Sequence, residues 1–90
     1  MSKVMLQVNV AYPAHFIERF TRQAFERQDA GETRYWEGGE VEEKNRVYVI
    51  MDWESVESAR EFFRSDIGRD HIAEWRSIKT DFTVLDGKTL

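Results

Sequence analysis

Cysteine is absent from the 90-residue chain, which excludes disulfide frameworks, thiolate metal sites, iron–sulfur clusters and cysteine nucleophiles together. An unstapled intracellular chain is the simplest reading, and its core must come from packing alone. Long apolar runs are also missing. No stretch approaches the ~20 apolar residues of a membrane-spanning helix, and Gln7 and Asn9 interrupt the apolar N-terminus, unlike the continuous hydrophobic region of a signal peptide. No membrane partner is therefore expected, and the expected location is the cytoplasm. Basic charge is not in excess: 13 Lys and Arg face 17 Asp and Glu, a net charge of −4. That balance argues against a nucleic-acid backbone as partner. Proline occurs once and glycine five times, with no linker, low-complexity tract or fixed-period repeat. What is present, 41% hydrophobic and 13% aromatic residues, suits one globular domain over residues 1–90.

From Val4 to Val10, Val4, Leu6, Val8 and Val10 alternate with Met5, Gln7 and Asn9, the period of a half-buried strand. Pro13 sits where a first helical turn tolerates a missing N–H. Phe16, Ile17, Phe20 and Ala24 then recur at helical spacing, so one amphipathic helix is predicted over Ala14–Ala30, stopped by Gly31. Thr33–Val41 and Arg46–Trp53 read as an antiparallel hairpin around Glu42 to Asn45. Gly38 and Gly39 suggest a bulge in its first strand. Ser55 occupies an N-cap position ahead of Val56, Ala59, Phe62 and Phe63, and Ser65-Asp66 reads as a break and a new cap. A second short helical piece then stacks Ile67, His71 and Trp75, with Gly68 weakening it. Ser77–Leu85 alternates again, placing Ile78, Thr80, Phe82 and Val84 on one face, and Asp86-Gly87 ends it.

The order is βαββαβ, an α+β plan. Two such halves form a ferredoxin-like, four-stranded antiparallel sheet with its helices on one face. The second face carries too many apolar side chains to stay in water, so a homodimer packed sheet against sheet is predicted. A domain of this size buries only about 60–65% of its unfolded surface alone, which adds to the pull toward a partner.

The segment Val47-Tyr48-Val49-Ile50-Met51-Asp52-Trp53-Glu54-Ser55, followed by Ala59 and Phe62-Phe63, resembles the strand, Trp-Glu-Ser cap and helix face of the antibiotic biosynthesis monooxygenase-like family. That resemblance implies a dimeric α/β barrel. It also implies one of several activities: cofactor-free oxygenation of polycyclic phenols, haem degradation, or simple binding. Quinone-forming relatives present an asparagine and a tyrosine where this chain has Val49 and Ala59, and only Trp53 agrees. In the haem-degrading branch Asn9 matches the first-strand asparagine, Phe63 replaces a tryptophan, and His71 lies one residue from the histidine.

Asn9 is an amide in an apolar strand that could orient a carbonyl or bound oxygen, or else a solvated or interface residue. His71 titrates near neutrality and suits a general base, with a structural role as the plain alternative. These two are the candidate catalytic residues. Trp36, Trp53, Phe63 and Trp75 are the candidate ligand-binding residues, able to wall a pocket for a flat molecule or simply to pack a core. His15 reads as a surface residue, and Glu40 to Glu43 as solvated carboxylates. Two histidines without an HExxH pattern define no metal site, and no cofactor is assigned. The expected function is thus a small cofactor-independent, monooxygenase-like protein acting on an aromatic or polycyclic molecule between sheet and helices. The alternatives are a non-catalytic dimer that binds a small hydrophobic ligand or serves assembly, and, less favoured, a haem-degrading oxygenase. An RNA-recognition domain shares the element order, but Arg46 to Met51 lacks the glycine and aromatic spacing of its RNA-binding strand.

Overall fold

The structure, a computed structural model, describes residues 2–39 and 45–85. Glu40 to Glu43 and the Asp86-Gly87 stop lie outside the described residues. The elements are β1 (Ser2–Val10), α1 (Pro13–Arg22), α2 (Ala24–Ala30), β2 (Glu32–Gly39), β3 (Arg46–Trp53), α3 (Val56–Arg64), α4 (Asp66–Trp75) and β4 (Ser77–Val84). The four strands form one antiparallel sheet in the order β2-β3-β1-β4. This is the ferredoxin-like α+β arrangement, with a helical crossover between β1 and β2 and another between β3 and β4. Among the described residues no helix is long and apolar enough to cross a membrane.

Strand parity decides the layers. Val4, Leu6, Val8 and Val10 of β1 join Val47, Val49, Met51 and Trp53 of β3 in one buried cluster with Phe16, Phe20, Val56, Ala59, Phe62, Phe63 and Trp75 from the helices. Each large side chain removed from water there contributes about 1.5–3 kcal/mol, which outweighs the weak propensities of the short helices. The odd-numbered β1 residues Lys3, Met5 and Gln7 pair with Asp52, Ile50 and Tyr48 on the face away from the helices.

Several boundaries differ from the sequence reading. The first helix is not continuous, because Gln23 sits at φ −84° and ψ 1° between α1 and α2. Its N–H tightens the turn by donating to both Arg19 and Phe20 carbonyls. Gly38 and Gly39 pair in register with Tyr48 and Val47, and the irregularity in β2 falls between Glu32 and Arg34 instead. Ile17, Ile67 and Ile78, expected on packed faces, are exposed at the edges of the helical layer and of β4. The caps fall where expected: Ser55 accepts from the Ser58 N–H at 3.1 Å and Ser65 from the Gly68 N–H at 3.1 Å. Gly31, at φ 130°, ends α2 in a conformation that a Cβ would strain, and its carbonyl accepts from the Glu54 N–H.

Gly68 has a different role from the weakening one expected of it. A Cβ at this position would lie 2.0 Å from the Phe62 carbonyl oxygen and 2.8 Å from the Phe63 Cα. The first turn of α4 therefore rests directly on the last turn of α3, and only glycine permits the approach. Gly68→Ala is expected to cost about 3 kcal/mol, because backbone must move to admit the methyl group. Gly38→Ala, where a Cβ meets nothing within 4 Å, should shift stability by no more than about 0.5 kcal/mol. Urea unfolding of the two variants measures both.

Candidate functional site

An aromatic-walled opening lies at the β4 edge of the sheet. Phe82 pairs across from Leu6, so it faces the helical layer. Its ring meets Phe63 of α3 at 4.6 Å between centroids. Ile72 of α4, Thr80 and Asp81 of β4, and Arg60 and Arg64 of α3 complete a cleft of about 320 Å³. Behind Phe63, at 5.7 Å, lies the ring of Trp53. The Trp53 indole is fully buried, and its Nε1 has no hydrogen-bond partner. An aromatic path thus runs from the cleft wall into the core.

A second, polar groove of about 380 Å³ runs between α1, α2 and α4, with Gln23 and His71 at its floor and Arg19, Glu26, Asp70 and Glu74 along it. Gln23 fixes this seam. Its Nε2 donates to the Glu74 carboxylate at 2.8 Å and to the His71 carbonyl at 3.3 Å, while its Oε1 accepts from Trp75 Nε1 at 2.8 Å. His71 is buried, and its ring lies 5.4 Å from that of Phe62. Its Nδ1 is buried without a partner. Burial holds the imidazole pKa below its ordinary 6.5, opposed by the nearby Glu26, Glu74 and Asp70 carboxylates and reinforced by Arg27. Close by, Arg27 and Glu32 form a fully buried ion pair at 2.9 Å that ties α2 to β2.

The candidate residues do not converge. Asn9 belongs to the helix-free face, where its Oδ1 accepts from Arg46 Nε at 3.3 Å. His71 lies on the helical side, so the two do not share a cavity within one subunit. Trp36 is 46% exposed on the helix-free face, with Lys3 and Arg34 at 5.0 and 4.8 Å from its ring. Trp53 and Trp75 are core, and Phe63 alone of the six reaches the cleft. His15, expected at the surface, is half-buried and donates from Nε2 to the Glu74 carbonyl at 2.9 Å. Arg60, Arg64 and Phe82 escaped the sequence reading. The available signal was the four-residue spacing of two arginines around Phe63, which places all three on adjoining helix faces.

The depressed His71 pKa has a consequence for stability. The unfolded chain takes up a proton near pH 6.5 that the folded chain resists, so stability is complete above that value and declines as pH falls through it. Thermal melts between pH 7.5 and 5 should show this decline, and His71→Gln should flatten it.

No protein-family model matches the chain, and no curated protein matches it. Solved structures do. A variant of SnoaB, a cofactor-independent oxygenase from Streptomyces nogalater, superposes with a TM-score of 0.77 at 18% identity, covering 99% of this chain and 94% of that one. A Bordetella bronchiseptica protein assigned to the antibiotic biosynthesis monooxygenases gives 0.77 at 15% identity, covering 99% and 97%. A Caulobacter crescentus protein with the same assignment gives 0.75 at 17% identity, covering 98% and 90%. The arrangement of strands and helices is thus common to all of them, and the chain has the fold of the antibiotic biosynthesis monooxygenases.

Proposed function

We propose that the protein is a small, cofactor-independent, monooxygenase-like protein that acts on an aromatic or polycyclic molecule held in the α3–α4–β4 cleft. The supporting observation is the wall itself. Phe63 and Phe82 present rings tilted by 40° to each other at the mouth of a concave site that adjoins the buried Trp53, and aromatic walls hold flat ligands by offset stacking. Oxygenation without a cofactor draws its electrons from the substrate. Conversion of a ring methylene to a ketone consumes one dioxygen and releases one water, with no external reductant. The protein then needs only to bind, orient and partly dehydrate an electron-rich ring system. Asn9 and His71, on opposite sides of the sheet, do not act on one ligand within a subunit, so the binding role falls to Phe63 and Phe82, with Trp53 behind them.

One observation favours the non-catalytic reading. Val49 and Ala59, which stand where quinone-forming relatives present polar groups, are fully buried in the core. Tryptophan fluorescence and oxygen uptake with a panel of polycyclic phenols separate the two readings. Saturable quenching with oxygen consumption is expected, and Phe82→Ala should weaken binding about tenfold while the fold persists. Binding without uptake would support the ligand-binding dimer, and absence of binding would count against the cleft as a site.

The proposed functional unit is a homodimer joined through the helix-free sheet face. Met5, Tyr48 and Ile50 form a half-buried apolar centre there, and charges of both signs surround it at Lys3, Arg34, Asp52, Lys79 and Asp81. A two-fold copy can match such a pattern with itself. Light scattering is expected to give twice the chain mass, and Ile50→Asp should shift the population to monomer. A wild-type monomer at micromolar concentration would overturn the proposal.

A further inference from the structure

We infer that the groove between α1, α2 and α4 binds a short aliphatic diamine, whose ammonium groups are held by Glu26, Asp70 and Glu74 and donate one N–H to the His71 imidazole. The groove shares no lining residue with the α3–α4–β4 cleft, and it is a second site, separate from the one proposed above. His71 supplies an acceptor without a donor. It is 7% exposed and lines the groove, and neither ring nitrogen has a hydrogen-bond partner among the described residues. Nδ1 is fully buried, whereas Nε2 keeps some accessible surface and is the nitrogen open to a donor from the groove. Buried polar side chains ordinarily find a partner. Burial lowers the imidazole pKa and so keeps the ring neutral at pH 7. With its proton on Nδ1, it presents a lone pair at Nε2.

The charge around that nitrogen is negative. Glu26 lines the groove from α2, and Asp70 and Glu74 line it from α4. The Glu26 and Asp70 carboxylates make no ion pair or hydrogen bond among the described residues. That of Glu74 accepts from the uncharged Gln23 amide at 2.8 Å and so keeps its charge. Arg19 and Arg22 also line the groove, but both are drawn to Glu18, at 3.6 and 2.7 Å. One glutamate thus holds two arginines, and the remaining positive charge faces three carboxylates. Asp70 and Glu74 are four residues apart on α4, where like charges repel across one helical turn. A dication relieves that repulsion. Cβ atoms at this spacing stand about 5–6 Å apart, close to the span of a four-carbon chain between two ammonium groups. Ile67, 54% exposed on the groove lining, gives the methylenes an apolar contact. Among the described residues no group of three histidine or carboxylate side chains is placed to hold a metal ion, so an organic cation fits the groove better than a metal.

Calorimetric titration in low salt with butane-1,4-diamine, a dication at neutral pH, and with the uncharged butane-1,4-diol tests the site. Saturable one-to-one binding of the diamine is expected, with no binding of the diol. The Glu26→Gln, Asp70→Asn double variant should weaken the diamine by about tenfold or more. A Glu57→Gln, Glu61→Gln variant removes the same charge from α3, outside the groove, and should change the affinity by less than about twofold. In nitrogen-15 imidazole spectra of the wild type, the His71 Nε2 resonance should shift as it accepts the hydrogen bond and should saturate with the calorimetric curve. Absence of diamine binding, equal affinity for the diol, or equal losses in the two double variants overturns the site. An Nε2 resonance that stays fixed at saturation overturns it as well, by leaving His71 out of the contact. Melting temperatures of the Glu26→Gln, Asp70→Asn variant, expected to match or exceed the wild type because a like-charge pair is removed, show that any loss is one of recognition.

Discussion

The contact between Gly68 and the Phe62 carbonyl determines much of what lies on the helical side of the sheet. Because no side chain separates them, α4 begins on the backbone of α3 and not one side-chain layer above it. That seating sends Ile72 toward β4, where it lines the cleft, and sends His71 and Trp75 toward α1, where Gln23 meets both. The cleft and the groove are the two sides of a single helix held at an unusually short distance. The Ser65 cap reinforces the position, since its hydroxyl both ends α3 and starts α4.

The other face of the sheet answers to a different constraint. Asp52 sits on β3 between Met51 and Trp53 and is only 2% exposed. Lys3 and Arg34, each at 2.8 Å, supply the compensation, and both also lie over the Trp36 ring. The Lys3 hydrogen bond, followed by that from Arg34, holds the Asp52 carboxyl below its ordinary 3.8. Its contribution to stability is therefore intact at neutral pH and is lost only as pH falls below that value. The cluster fixes long side chains that would otherwise be mobile, and so gives the open face a defined shape at one end. A surface already ordered loses less entropy when a second copy packs on it.

Local chemistry was legible in the sequence wherever the cause was local. The alternation of β1 and β3, the proline opening α1, and the serine caps of α3 and α4 each follow from a few adjacent residues, and each stands in the structure. The break at Gln23 was hidden because its causes, Glu74, His71 and Trp75, lie about fifty positions away. Gly68 read as a weakness for the same reason: its value is the backbone it touches. Asn9 is the instructive case. The parity that put Val8 and Val10 in the core also assigns Asn9 to the opposite face, so its separation from His71 was implicit in the strand pattern. The local pattern alone does not single out Arg60 and Arg64, and only the placement of β4 beside them makes them line a cavity.

Side chains fill the space between sheet and helices. Trp53 packs on Phe62 and Phe63 at 5.7 Å each, and Phe16, Phe20 and Trp75 occupy the other half. Phe63 therefore separates Trp53 from the cleft at the β4 edge, where one side is open to water. Such a site gains little from the strong electrostatics of a dry interior. Under the proposed function, its effect on a reaction comes mainly from how it orients the ring. The Phe63 and Phe82 wall is then the feature on which selectivity depends under that function, and the buried aromatic residues hold that wall in place.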